Sequence, residues 1–294
     1  MLESLQYIYA PQIINGLSIG VAVILMALGL TIIFGLLDVI NMSHGEFYAA
    51  GAFLSVSLMA MGISFWICLL LVPLILIPAG ILMEKFLIQK VFHYKDRHIL
   101  TLLLTFGVAM ILEDSFKIIW GANAVKPDTP ISGASEFLGV MFPNYRLFVM
   151  AFGAILIFAV WVLIYKTQIG AIVRASAYDK DMSSSLGIPV MRVYALTFAF
   201  GVAIAGLSGV LLAPIYSVFP TMGRDFILMA FTVVIVGGLG SIKGAVIAGI
   251  LLTQLQSLSA LFISPVWSEP LVFTVMVLVL MFKPAGLYGG MKNA

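Results

Sequence analysis

Five side chains able to do proton, metal or substrate chemistry crowd into positions 38–46: Asp38, Asn41, Ser43, His44 and Glu46. They stand between two apolar runs, where a bilayer or an apolar core penalises polar groups. As a plain loop they would be solvated. Small residues follow at once (Gly45, Ala49, Ala50, Gly51, Ala52), and such residues suit close helix approach. Asn41 and Ser43 are the residue types that cap a helix starting just after them, which is compatible with a role in a transport pathway. One histidine and two carboxylates are a poor metal set. A membrane-embedded enzyme built on Asp38, His44 and Glu46 lacks a second histidine and any nucleophile–base pair. No catalytic residue and no metal site are assigned.

A second cluster is the turn Gly237-Gly238-Leu239-Gly240-Ser241-Ile242-Lys243-Gly244. It matches neither the G-x-x-x-x-G-K-[ST] nor the G-x-G-x-x-G phosphate motif, and no nucleotide-binding motif occurs elsewhere in the chain. Read simply, it is a tight interhelical turn. Read as broken helix at membrane depth, its N–H and C=O groups suit the carboxylate and ammonium of a zwitterion. Gly237, Gly238, Gly240 and Ser241 therefore join Asn41, Ser43, His44 and Glu46 as pathway residues. The two glycine-flanked breaks occupy comparable places in the two halves of the chain, a weak likeness.

The third cluster lies in the polar stretch 166–192. Residues 171–186 favour one helix, stopped by Gly187 and Pro189. Ala171, Ala175, Tyr178, Met182 and Leu186 share its face at i, i+3/i+4 spacing. That face would lie on lipid, pack in the core, or dock in a groove on a soluble partner.

The elements that must position these groups follow from composition. The chain has 294 residues, 62% hydrophobic and 10% charged, with mean hydropathy +1.16. Soluble domains carry about one quarter charged residues, so lipid is the solvent for most of this chain. A net charge of +2 gives no sign of a nucleic-acid partner. The lone cysteine, Cys68, is read as a small core residue, and the N-terminus lacks the basic start of a cleavable signal peptide. Apolar runs occupy 13–37, 47–61, 65–83, 99–120, 147–165, 193–217, 226–236, 245–263 and 271–282. The expectation is an all-α integral membrane protein, a single transmembrane domain over 1–294, with about eight or nine transmembrane or half-spanning helices. Run 226–236 either gains flanking residues or is a half-helix. With loops 84–98 and 166–192, the glycine turn with Lys243 and the C-terminus on one side, that side holds 11 of the 15 Lys and Arg residues. The positive-inside rule makes it cytoplasmic. The N-terminus and loop 121–146 become periplasmic.

Four stretches resemble the branched-chain amino acid ABC transporter permeases of the LivH type. They are Ala27-Leu-Gly-Leu-Thr-Ile-Ile-Phe-Gly35 with Ile40-Asn41-Met-Ser-His44-Gly45-Glu46; Gly170-Ala-Ile-Val-Arg174-Ala-Ser-Ala-Tyr178-Asp179 with Leu186-Gly187-Ile188; Val236-Gly-Gly-Leu-Gly-Ser-Ile-Lys-Gly-Ala245; and Lys283-Pro284-Ala-Gly286-Leu287-Tyr-Gly289. In order, they run from the first span to the tail. The chain departs from the family pattern at Met42 and Ser43, where Phe-Ala is usual, and at Lys283, where Arg is usual. The resemblance implies a multi-pass subunit of the bacterial inner membrane importing leucine, isoleucine or valine, with no cofactor of its own. It implies a second permease subunit, as a heterodimer, two cytoplasmic ATPase subunits that hydrolyse ATP, and a periplasmic substrate-binding protein. Residues Arg174, Ala175, Tyr178, Asp179, Met182, Leu186 and Gly187 then form the ATPase-coupling loop. Related permeases for urea or short amides are the alternative cargo reading, and an ion-coupled secondary transporter the alternative class.

Overall fold

A computed structural model describes residues 2–137 and 140–289. Within them the chain is helical apart from turns and one antiparallel hairpin, β1 (Ala134–Phe137) on β2 (Val140–Pro143). The helices are α1 (Leu2–Leu37), α2 (His44–Ala60), α3 (Phe65–Met83), α4 (Gln89–Val91), α5 (Arg97–Trp120), α6 (Asn144–Lys166), α7 (Gln168–Tyr178), α8 (Lys180–Ser185), α9 (Val190–Leu212), α10 (Met222–Gly237), α11 (Ile242–Ser259) and α12 (Ser268–Phe282).

Seven helical stretches are long and apolar enough to cross a membrane: those built on α1, α3, α5, α6, α9, α11 and α12. Helices α2 and α10, of 17 and 16 residues, fall short. At 1.5 Å per residue they reach ~25 Å against a hydrocarbon core of ~30 Å. Both are nonetheless packed inside the bundle.

Three boundaries differ from the sequence reading. Helix α1 begins well before residue 13 and carries Pro11 without ending there. The loop read as 84–98 is helical up to Val91, because a π-turn (Glu84–Ile88) and α4 prolong α3. Glu84 is tolerated there because its Oε2 accepts a hydrogen bond from Gln89 Nε2 at 2.7 Å. The single helix over 171–186 is two helices, α7 and α8, broken at Asp179 (φ −146°, ψ 104°).

Helices α1 and α9 are the hub. Helix α1 packs against α9, α11, α6 and α10, and α9 against α1, α2 and α3. Lipid supplies little hydrophobic drive for helices to associate, so close backbone contact must do so. At the α1–α9 crossing, a Cβ on Gly29 would stand 2.6 Å from the Gly201 carbonyl oxygen. Only glycine at both positions lets the backbones touch. By contrast α5, α6 and α12 turn large apolar side chains outward, among them Ile118, Phe158 and Phe282.

The helix ends sort into two groups. At one, Asp38 faces Arg97 and His98 at 3.7 and 3.8 Å, and Gly240 lies against Gly35. At the other, Trp120 Nε1 donates to Ser57 Oγ at 2.6 Å, Arg146 bonds Asn15, and Val125 pairs with Val218. Loops 92–96 and 166–190 and the tail to Gly289 thus share one end, with loop 121–143 at the other. Lys292, counted above on the basic side, lies outside the described residues.

Candidate functional site

The approach to α2 is not a surface loop. From Asp38, beside Arg97 at the start of α5, the chain turns inward. Met42 N donates to Thr105 Oγ1 at 3.0 Å, eight residues and ~12 Å further along α5. His44 Nε2 lies 3.1 Å from the Met26 carbonyl, eleven residues before the end of α1. As the carbonyl can only accept, Nε2 carries the proton. Helix α2 therefore starts within the bundle and runs to the Trp120 end. Helix α10 does the reverse. Its approach, residues 213–221, descends from the Val125–Val218 pair, and α10 ends at Gly237 beside the tail, where Tyr288 N donates to the Gly237 carbonyl at 3.0 Å.

The two N-termini meet. A Cβ on Gly45 would stand 2.7 Å from Ile227 Cβ, and one on Gly223 would stand 2.7 Å from the Glu46 carboxylate oxygens. The rings of Tyr48 and Phe226 lie 4.7 Å apart. Each of these two short helices turns the positive end of its dipole toward the junction, although the His44, Glu46, Met222 and Arg224 N–H groups already donate to carbonyls of the preceding turn. Discontinuous helices of this kind mark the binding region of many transporters.

Beside the junction lies a pocket of about 260 Å³ between α2, α5 and α10. Its charged lining is Glu46, Glu113, Asp114, Lys117 and Arg224. Lys117 Nζ bonds Glu113 at 2.8 Å and Asp114 at 3.0 Å, and Arg224 Nη1 stands 3.9 Å from Glu113. Glu46 is only 2% exposed, and among the described residues no donor reaches its Oε2. Phe106, Met110 and Ile227 supply the apolar wall.

The predicted pathway residues divide. Asn41 and Ser43 are fully buried. Ser43 occupies the N-cap position of α2 without capping it by its side chain. Instead Asn41 Oδ1 accepts from Ser43 N–H at 3.1 Å and Ser43 O–H at 2.7 Å, shaping the inward loop. His44 ties α2 to α1. Only Glu46 of the four lines the pocket, and Asp38, His44 and Glu46 do not converge. The glycine turn lies elsewhere, at the helix-end group. Gly237 and Gly244 pack backbone to backbone, Ser241 Oγ caps α11 by accepting from Gly244 N at 3.1 Å, and Gly238 (φ +103°) seats against Gly289. Gly240 (φ +80°) lies against Gly35. The tail thus takes the Gly237 carbonyl and packs on Gly238, at the start of the turn read above as a cargo contact. The second-half counterpart of the break at 38–43 is 213–221, not 237–244.

The segment 168–187 carries an outward apolar face. Ala175, Tyr178, Met182 and Leu186 are exposed, Tyr178 to 95%, and Ser176 and Ser183 are the buried side. That face is not core packing of this chain. Asp179 caps α8 by accepting from Met182 N at 2.9 Å. Arg174 bonds the Ile164 carbonyl and stacks 5.6 Å over the Tyr165 ring, so it is tied to α6 rather than offered to a partner's charge. Gly187 (φ +84°) makes the exit toward α9.

Sequence reasoning missed Glu113, Asp114, Lys117, Gly223 and Arg224 as one site. A signal existed. Ser43-His-Gly45-Glu46-Phe-Tyr48 and Thr221-Met-Gly223-Arg224-Asp-Phe226 repeat a hydroxyl, a glycine, a charge and an aromatic at the same offsets. The tertiary contacts pair them glycine to glycine and ring to ring.

The model of the family described as "Branched-chain amino acid transport system / permease component" matches residues 12–280. The high-affinity branched-chain amino acid transport system permease protein LivH of Salmonella typhimurium is 32% identical, over 97% of this chain and 97% of that protein. The corresponding permease protein BraD of Pseudomonas aeruginosa is 28% identical over 96% of each chain. The permease protein LivM of Escherichia coli is 26% identical, covering 90% of this chain and 67% of that protein. No solved structure matches.

Proposed function

Because this chain belongs to the branched-chain amino acid transport permease family, we propose that it is one of two membrane subunits of an ATP-driven importer in the bacterial inner membrane. Its cargo is leucine, isoleucine or valine. A second permease subunit completes the pore, two separate cytoplasmic ATPase subunits hydrolyse ATP, and a periplasmic binding protein delivers the amino acid. That LivH-like and LivM-like chains both align with this one supports pairing with a longer homologue. The chain is a transport subunit rather than an enzyme.

The observation that carries the reading is the pair of short helices, α2 and α10, whose N-termini meet inside the bundle beside a charged pocket. A passive scaffold has no use for buried helix ends. The excess of Lys and Arg supports a cytoplasmic α7–α8 end, where its exposed apolar face would be available to an ATPase groove. From α8, Gly187 and Pro189 lead directly into α9, and α9 packs on α2, whose first turn carries Glu46. ATPase closure would push α7 and α8, shift α9 and change the junction. Cargo affinity must differ between the two states, or ATP could not drive release.

Reconstitution of this chain with its partner permease, ATPases and binding protein tests the reading. Labelled leucine should enter proteoliposomes only with ATP. Uptake by this chain alone under an ion gradient, or uptake of urea or acetamide in place of leucine, would overturn it.

A further inference from the structure

Resting on the importer reading, we propose that the pocket between α2, α5 and α10 holds the cargo midway. Glu46 takes its α-ammonium group, and Arg224 with the half-helix N-termini takes its α-carboxylate.

Three observations converge on this assignment. The first is the orphan carboxylate. Glu46 is buried, and among the described residues its Oε2 has no donor. The pocket lining holds three carboxylates, Glu46, Glu113 and Asp114, against two cations, Lys117 and Arg224. Lys117 is committed to Glu113 and Asp114. A buried carboxylate without a partner is costly, and an entering cationic group would compensate it. The second is the repeat. Glu46 and Arg224 occupy the same offset after Gly45 and Gly223, on half-helices of opposite sense, and so bring opposite charges to one junction. A zwitterion is the ligand that needs both. The positive dipole ends of the two helix starts favour its carboxylate further.

The third is the remaining wall. Met42, Phe106, Met110 and Ile227 give the apolar surface an aliphatic side chain requires. The 260 Å³ volume is below the ~300–1,000 Å³ of drug-sized sites, in keeping with a single small amino acid. Phe106 and Met110 are 49% and 55% exposed, so the pocket is open on the flank of the bundle and a neighbouring subunit would close it. The chemistry also selects among cargoes. Urea or a neutral amide brings no cation and would leave Glu46 uncompensated.

The test is leucine moved per ATP hydrolysed by the complete transporter in proteoliposomes, with saturating leucine-loaded binding protein. Glu46→Gln should lower that quotient at least about tenfold, as expected for loss of a buried charge-assisted contact. Arg224→Gln should lower it as well. Glu46→Asp, which keeps the charge, should recover part of it. A Glu46→Gln quotient within twofold of the wild type overturns the assignment. So does Glu46→Asp failing as completely as Glu46→Gln, which marks a packing role. Loss of the second permease from purified Glu46→Gln complexes also overturns it, because Glu46 would then meet a cation of the partner. Wild-type uptake of leucine is measured alongside. If that fails, the importer reading falls; if it holds while the variants are unaffected, only the cargo site falls.

Discussion

At the scale of single residues, the junction is defined by what is missing from Gly45 and Gly223. A methyl at Gly45 would press on the Gly223 carbonyl, and one at Gly223 on the Glu46 carboxylate. Overpacking of this kind costs about 1–3 kcal/mol. Gly45→Ala and Gly223→Ala should each lower the unfolding midpoint of the purified protein. Gly107→Ala, where a Cβ meets nothing within 4 Å, should leave it unchanged or raise it through helix propensity, about 1 kcal/mol. Equal losses at all three would refute the tight junction. His44 is fully buried with its one bond to Met26. His44→Ala should therefore destabilise the fold by about 1–3 kcal/mol, read by thermal unfolding. Its effect on leucine per ATP should be smaller than that of Glu46→Gln.

At the scale of elements, the break at Asp179 makes two short helices where periodicity suggests one. An N-cap carboxylate is worth about 1 kcal/mol, a large share of the stability of the six-residue α8. Asp179→Ala should fray α8, seen as faster protease cleavage near residue 180, and should slow ATP-driven uptake. Arg174 holds α7 to α6 through the Ile164 carbonyl and the Tyr165 ring. Lysine lacks the planar fork that does both, so Arg174→Lys should impair uptake nearly as much as Arg174→Ala. Rescue by lysine would instead favour a simple charge contact with an ATPase. The amphipathic spacing of Tyr178, Met182 and Leu186 was legible from sequence as an apolar face. Whether that face turned inward or outward was not, because it depends on which side α9 offers for packing.

At the scale of the whole molecule, the bundle has one end bearing Asp38, the 166–190 segment, the glycine turn and the tail. A single reporter tests its compartment. Cys68 is buried, so Tyr178→Cys in the Cys68→Ala background should be labelled by a membrane-impermeant maleimide only from the cytoplasmic side. Labelling from outside would invert the topology. Removing residues 283–294 should loosen the turn that the tail closes through Leu287–Val236 and Tyr288–Gly237, with a fall in thermal stability as the readout.

Composition and local pattern alone pointed to lipid as the solvent and located the apolar runs, seven of which are long enough to span. Long apolar runs have no stable home but lipid, and the start of α3 at Phe65 is readable because Ser64 precedes the apolar run, whereas its far end is not, because a π-turn carries the helix past Glu84 to Val91. The Lys and Arg count favours one side of the chain as the cytoplasmic one. The tertiary structure alone decided which polar residues meet. Glycine stretches look alike in sequence whether they cradle cargo or lock a turn. The tail takes the Val236 and Gly237 carbonyls and packs on Gly238, while Gly223, in the first turn of a helix too short to span, faces Glu46. Burial of a carboxylate beside a distant helix start is a property of long-range packing, and no local window of residues contains it.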